Sequence, residues 1–203
     1  MISITQPLPK EINIDGELYP ISWTFKTGIK FEELINDKSL SDEQRLLKIL
    51  MLYYPDKIPC NISEAIEGLL WFFKGGQEDK PTRKTRSKKS SKAQYSFTQD
   101  SGLIYAAFVQ AYGIDLFKVT KLHWWAFKEL FACLPEDCMF SKVLTYRSIS
   151  LTSNMSKEQK EFYKEMKEKY RLEKSEFDIE RLEAVEEILL SGDMSKLKGG
   201  VTN

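Results

Sequence analysis

The sequence has little from which to build a catalytic or metal centre. Its 203 residues include one histidine, His123, and three cysteines, Cys60, Cys133 and Cys138. A structural zinc takes about four Cys, His or carboxylate ligands, so Cys133, Cys138 and His123 make an insufficient set, and no metal or cofactor is expected. Three cysteines, only two of them close in sequence, give no disulfide framework and read as free thiols in a cytosolic protein. No apolar run approaches the roughly 18 residues expected of a membrane span. The opening "MISITQPLPKEINIDG" also lacks the basic-then-apolar order of a secretory signal. Net charge is absent as well: 30 Lys+Arg balance 30 Asp+Glu, so no overall field favours a polyanion or an acidic membrane. Neither the P-loop nor the dinucleotide glycine pattern occurs. Nucleophilic catalysis needs a nucleophile, a base beside it and a group orienting the base. A lone histidine on a helix is usually a packed or surface residue, so no enzyme is expected.

What is present is a globular composition, 42% hydrophobic and 12% aromatic. From Ile12 to Phe25 apolar residues alternate around Asp15-Gly16, a dipeptide suited to a two-residue hairpin turn. Pairing Ile14 with Glu17 sets Ile12 opposite Tyr19, and the same apolar face continues through Ile21, Trp23 and Phe25. After Gly28 the period becomes helical. Ser41 with Gln44, Asn61 with Glu64 and Ser156 with Gln159 have the spacing of an N-cap and its reciprocal partner. "NISEAIEGLLWFFKGG" predicts a core helix that places Ile62, Ala65, Ile66, Leu69, Leu70 and Phe73 on one side and stops at Gly75-Gly76. Thr98 is expected to cap a helix ending near Gly113. Pro135 with Glu136-Asp137 is expected to open the next. The patterning predicts a mainly α protein: a multi-helix domain over 1–171 with an N-terminal β-hairpin, a basic flexible linker at about 77–96 between two helical halves, and a C-terminal helical extension over 172–203.

Within that linker, "KPTRKTRSKKSSKAQ" carries Arg83, Lys84, Arg86, Lys88 and Lys89 without a large apolar side chain. Such a run can neutralise phosphates, yet no neighbouring motif supplies base stacking or groove readout. A soluble loop is the favoured reading and a nucleic-acid arm the alternative. The richest stretch is Leu122–Tyr146, "LHWWAFKELFACLPEDCMFSKVLTY". On a helical wheel begun at Lys121, an apolar arc holds Leu122, Trp124, Ala126, Phe127, Leu130, Phe131 and Cys133, with His123 among them. The opposite arc holds Lys121, Lys128 and Glu129 with Trp125 in their midst. Trp is over-represented among residues that dominate binding energy, so Trp125, with Lys121, Lys128 and Glu129, is the expected protein-interaction site.

The order of the hairpin, "FEELIND", "EAIEGLLWFFKGG", the basic linker, "DSGLIYAAFVQAYGIDL", "LHWWAFKELFACLPED", "FSKVLTYRSISL" and "KEQKEFYKEMKEKY" resembles one bacteriophage family. This is the tail assembly chaperone family encoded just upstream of the tape measure protein, the phage "gp fifteen" family of Gram-positive siphophages and prophages. The likeness runs from about Ile12 to Tyr170. It implies a phage tail morphogenesis protein that keeps the tape measure protein soluble and recruits tail tube protein subunits, with no catalytic residues. It also implies a host bacterial cytoplasm location and absence from the mature virion. The missing apolar run leaves no membrane expected as partner, and whether the chain forms a homo-oligomer stays open. The alternatives are a nucleic-acid-associated phage protein and a structural tail or head-tail component.

Overall fold

The computed structural model describes residues 4–76 and 94–173. Along them lie β1 (Glu11–Ile14), β2 (Glu17–Pro20), α1 (Phe25–Asn36), α2 (Asp42–Tyr53), α3 (Ile62–Phe73), α4 (Ser101–Tyr112), α5 (Trp124–Ala132), α6 (Met139–Ser148) and α7 (Lys157–Lys169). The protein is mainly helical with an N-terminal antiparallel hairpin, as the patterning predicts. Its described residues fall into two compact units, one of 4–76 with 121–128 and one of 94–120 with 129–173. Helix α5 therefore contributes residues 124–128 to the first unit and 129–132 to the second. The basic residues Arg83 to Lys89 and the terminal apolar run from Phe177 to Leu189 lie outside the described residues.

In the first unit β1 and β2 pair with Ile12 opposite Tyr19 and Ile14 opposite Glu17. Asp15 and Gly16 both adopt positive φ, 51° and 84°, as a two-residue turn of this kind requires. Ile12, Ile14 and Tyr19 are buried, which fixes the register because a slip of one residue would send them to solvent. The chain leaves the sheet at Pro20, and Phe25 opens α1 instead of extending β2. Gly28 therefore lies inside the helix, correcting its expected place at the helix start. Its reason is packing: a Cβ there would stand 2.3 Å from Cε3 of the Trp124 ring. Helix α2 opens with the expected capping box, Ser41 and Gln44 bonding reciprocally. Asn61 caps α3 by accepting from the Glu64 N–H, whereas the Glu64 carboxylate turns away to accept from Asp15 N at 2.9 Å. That exchange ties the hairpin turn to the start of α3.

Arg45 is the buried cation of this unit. Its guanidinium donates to the backbone carbonyls of Leu34, Asp37 and Leu40 and pairs with Asp42. The carbonyls it engages lie at and beyond the end of α1, where the last turn of a helix leaves acceptors without intrahelical donors. One side chain thereby closes α1 and fixes the turn into α2.

In the second unit α4 begins at Ser101 with Asp100 as its flanking residue, displacing the expected cap at Thr98. The Asp100 carboxylate is committed elsewhere. It accepts from Ser96 N at 3.0 Å and takes a two-pronged contact from Arg147 at 2.7 and 2.8 Å. Arg147 also donates to the carbonyls of Tyr170 (2.6 Å) and Gln94 (3.0 Å), so one fork from α6 gathers the start of α4 and the end of α7. Gln99 and Glu173 add a reciprocal pair of bonds at 2.9 and 2.8 Å. Residues 94–96, placed in the linker by sequence, join this packing, with the Tyr95 ring edge-on to Phe97 and Phe131. Gly113 ends α4 in the left-handed conformation, φ 65°, as expected. Helix α6 starts at Met139, later than Pro135 suggested, because Cys138 serves as its cap through Sγ and the Ser141 N–H. Helix α7 opens on the expected Ser156–Gln159 capping box and buries no residue.

Candidate functional site

Residues 121–123 are extended and not helical, and this sets the geometry of the aromatic stretch. His123 bridges to Thr24 in antiparallel fashion, Phe25 N bonds Leu122 O at 3.0 Å, and Trp124 N bonds Trp23 O at 2.9 Å. The His123 ring lies flat on Trp23, centroids 5.6 Å apart at 16°. Its Nδ1 accepts the Trp125 N–H at 3.1 Å, so the proton sits on Nε2, which donates to Pro9 O at 2.8 Å. Desolvation holds its pKa below the ordinary histidine value, the Lys10 charge adding to the effect and the Pro9 bond opposing it. Both ring nitrogens serve the fold: the imidazole caps α5 and pins the chain ahead of β1.

The two tryptophans that follow are both inside. Trp124 Nε1 donates to Phe73 O at 2.9 Å and Trp125 Nε1 to Phe72 O at 2.6 Å. Consecutive indoles thus meet consecutive carbonyls in the last turn of α3, a place where acceptors are left over. Trp124 also stacks on Phe73 at 16°. A Cβ on Gly76 would fall 2.6 Å from Cη2 of Trp125, so Gly75-Gly76 both stops α3 and admits the ring. Trp125 is 5% exposed, which corrects its expected place on the outer arc and removes it as a contact surface. Trp125 does share its side of α5 with Lys128 and Glu129, but α3 covers the side that these charged neighbours suggested was open.

The other three residues of the expected interaction site spread differently. Lys121 and Glu129 are exposed, while Lys128 is half-buried, its Nζ 3.2 Å from Phe73 O and over the Phe73 and Trp124 rings. A cation at the C-terminal end of α3 also complements the helix dipole. Lys128 is thus structural, by contacts within its own unit. Cys133, expected on the core arc, is exposed. The weak nucleic-acid candidates Arg83, Lys84, Arg86, Lys88 and Lys89 lie outside the described residues.

Sequence reasoning missed three groups in the first unit. Glu32 on α1 is part-buried, and burial pushes its pKa up to about 8 although Lys128 pulls it down. Tyr53, fully buried, feels that carboxylate; desolvation and the nearby charge hold its phenol ionised only far above its ordinary range. Its hydroxyl makes no hydrogen bond among the described residues. Trp71 is the tryptophan of α3 that reaches solvent, 38% exposed and edge-on to Trp125 at 5.3 Å. Its place outside the apolar arc of α3 was the available signal. Among the described residues no cluster of three or more His, Cys, Asp or Glu could hold a metal ion, and no helix is long and apolar enough to cross a membrane.

These features describe a mainly helical protein whose only histidine and neighbouring tryptophans are spent on packing. The family model described as "Bacteriophage Gp15 protein" matches residues 4–172, and the chain belongs to that family of bacteriophage proteins. No curated protein and no solved structure matches it.

Proposed function

We propose that the chain acts by binding and not by chemistry, as a tail assembly chaperone that keeps the tape measure protein soluble and recruits tail tube protein subunits. It does so in the host bacterial cytoplasm and leaves the assembled virion. Membership of the phage family over residues 4–172 carries this reading. The physical logic is that a long helical client with apolar stripes aggregates unless they are covered, and helix-against-helix contact covers them reversibly. The surface supports the reading: Leu47 and Met51 stand exposed one turn apart on α2, and Phe162 is exposed on α7. The commitment of both His123 nitrogens to Pro9 and Trp125 supports a role without catalysis.

The test is co-expression with the tape measure gene of the same phage, with mass spectrometry of purified particles. Soluble tape measure protein only in the presence of this chain, and particles free of it, is the expected outcome. Insoluble tape measure protein in both cultures would refute the chaperone role, and stoichiometric recovery from particles would make the chain a structural tail component instead.

A further inference from the structure

Among the seven helices of the described residues, α7 alone buries no side chain. Its sequence, KEQKEFYKEMKEK, is mostly Lys and Glu. The aromatic residues on and just after it gather on one ring of α6: Tyr146 meets Phe162 edge-on at 6.0 Å, Tyr163 at 6.4 Å, and Tyr170 in a stack at 6.0 Å and 24°. Two polar fasteners lie beyond its C-terminal end. There Arg147 holds the Tyr170 carbonyl, and Gln99 exchanges two hydrogen bonds with the Glu173 backbone. Gln99 and Glu173 are exposed, as is the whole stretch 150–154 that leads into the helix.

We propose that α7 is a releasable strap: with residues 170–173 it opens as one cooperative segment while α4 and α6 stay folded, and its release uncovers the Tyr146 ring. Local opening is cheapest where little apolar surface is buried and the backbone bonds face water, and α7 meets both conditions. The residues that hold the rest of the second unit, Ile104, Ala107 and Phe108 of α4 with Phe140 and Val143 of α6, lie on other helices. Opening also strands no buried charge. Arg147 gives up the Tyr170 carbonyl but keeps both of its bonds to the Asp100 carboxylate, and the exposed Gln99 amide passes directly to water. A helix as short as α7 is marginal in isolation, so it keeps its helical form only while seated. Release and unfolding are therefore one event. The strap belongs to the fold and is independent of the proposed chaperone activity.

The test is amide hydrogen exchange read by mass spectrometry on the full chain, comparing wild type with Gln99→Ala, which removes one fastener, and Lys164→Gly, which weakens α7 at an exposed position. In wild type the amides of 157–169 should exchange about 100-fold faster than those of 101–112, after allowance for intrinsic rates. Gln99→Ala should speed α7 a further ~5–10-fold through the two lost bonds, and Lys164→Gly about 5-fold through helix propensity. Protection of α4 should match wild type in both variants. Iodination of Tyr146, mapped by mass, should rise in step with α7 exchange. Amides of α7 as protected as those of α4, or a variant that accelerates α4 and α7 equally, would show that α7 unfolds only with the whole unit and would overturn the proposal. So would variants that leave α7 exchange unchanged, or a Tyr146 iodinated no faster when α7 is loosened.

Discussion

Replacing Glu32 with glutamine should make the first unit more stable at neutral and alkaline pH. The carboxyl of Glu32 is driven from 4.5 up to about 8, by burial first, with Lys128 opposing. Below pH 4.5 the group is protonated in both folded and unfolded chains. Between 4.5 and about 8 only the unfolded chain ionises it, which draws the equilibrium towards unfolding, and above about 8 the loss is complete. Wild-type stability should therefore fall as pH rises through that window and then level off. At ~1.4 kcal/mol per pH unit the displacement sets a ceiling of ~5 kcal/mol. Because Glu32 keeps part of its surface in water, ~2–3 kcal/mol is the expected effect after solvent screening. Glutamine preserves the shape and cannot ionise, so wild type and Glu32→Gln should coincide in acid and diverge towards pH 8. All four tryptophans, Trp23, Trp71, Trp124 and Trp125, belong to the first unit, which makes urea titration followed by tryptophan fluorescence a local assay. Parallel stability curves across the pH series would refute the assignment.

Three other outcomes follow from the packing. Trp125→Ala should destabilise the first unit by ~3–5 kcal/mol, comparably to Trp124→Ala, since both rings are buried and hydrogen-bonded to α3; a near-neutral melting temperature for Trp125→Ala would show the ring outside. Gly28→Ala, which in an ordinary helix would gain ~1 kcal/mol, should instead cost ~2–3 kcal/mol because the new methyl meets the Trp124 ring, and a denaturation midpoint above wild type would contradict it. Arg147→Ala should leave the Asp100 carboxylate buried without its partner and destabilise the second unit by ~3–5 kcal/mol. Amide exchange should then accelerate at Ser96, whose N–H bonds Asp100, and unchanged protection there would show the fork to be dispensable.

Local chemistry was legible in the sequence and long-range chemistry was not. The Asp15-Gly16 turn, the register of Ile12 with Tyr19, the boxes at Ser41 and Ser156 and the stop at Gly75-Gly76 each depend on residues a few positions apart. The misreadings arose where distant residues intervene. Trp125 is enclosed by α3, 53 residues earlier. Gly28 reads as a boundary until Trp124 is seen against it. Asp100 is drawn into the Arg147 fork, 47 residues away, and Thr98 consequently does not begin the helix. Nothing in the sequence around Arg45 announces the three backbone acceptors that converge on it.

The return of residues 121–128 to the first unit has a consequence for synthesis. That unit receives its hairpin and first three helices by Phe73, but Trp124 and Trp125 emerge only about 50 residues later. At roughly 5–20 residues per second the nascent chain spends about 3–10 seconds with Phe72 and Phe73 lacking the rings that stack on them and the indole donors that engage their carbonyls. Folding in sequence order is therefore closed to the first unit. It must wait, partly assembled and apolar, for a segment encoded beyond α4, and no single cut along the chain separates the two units into independent pieces.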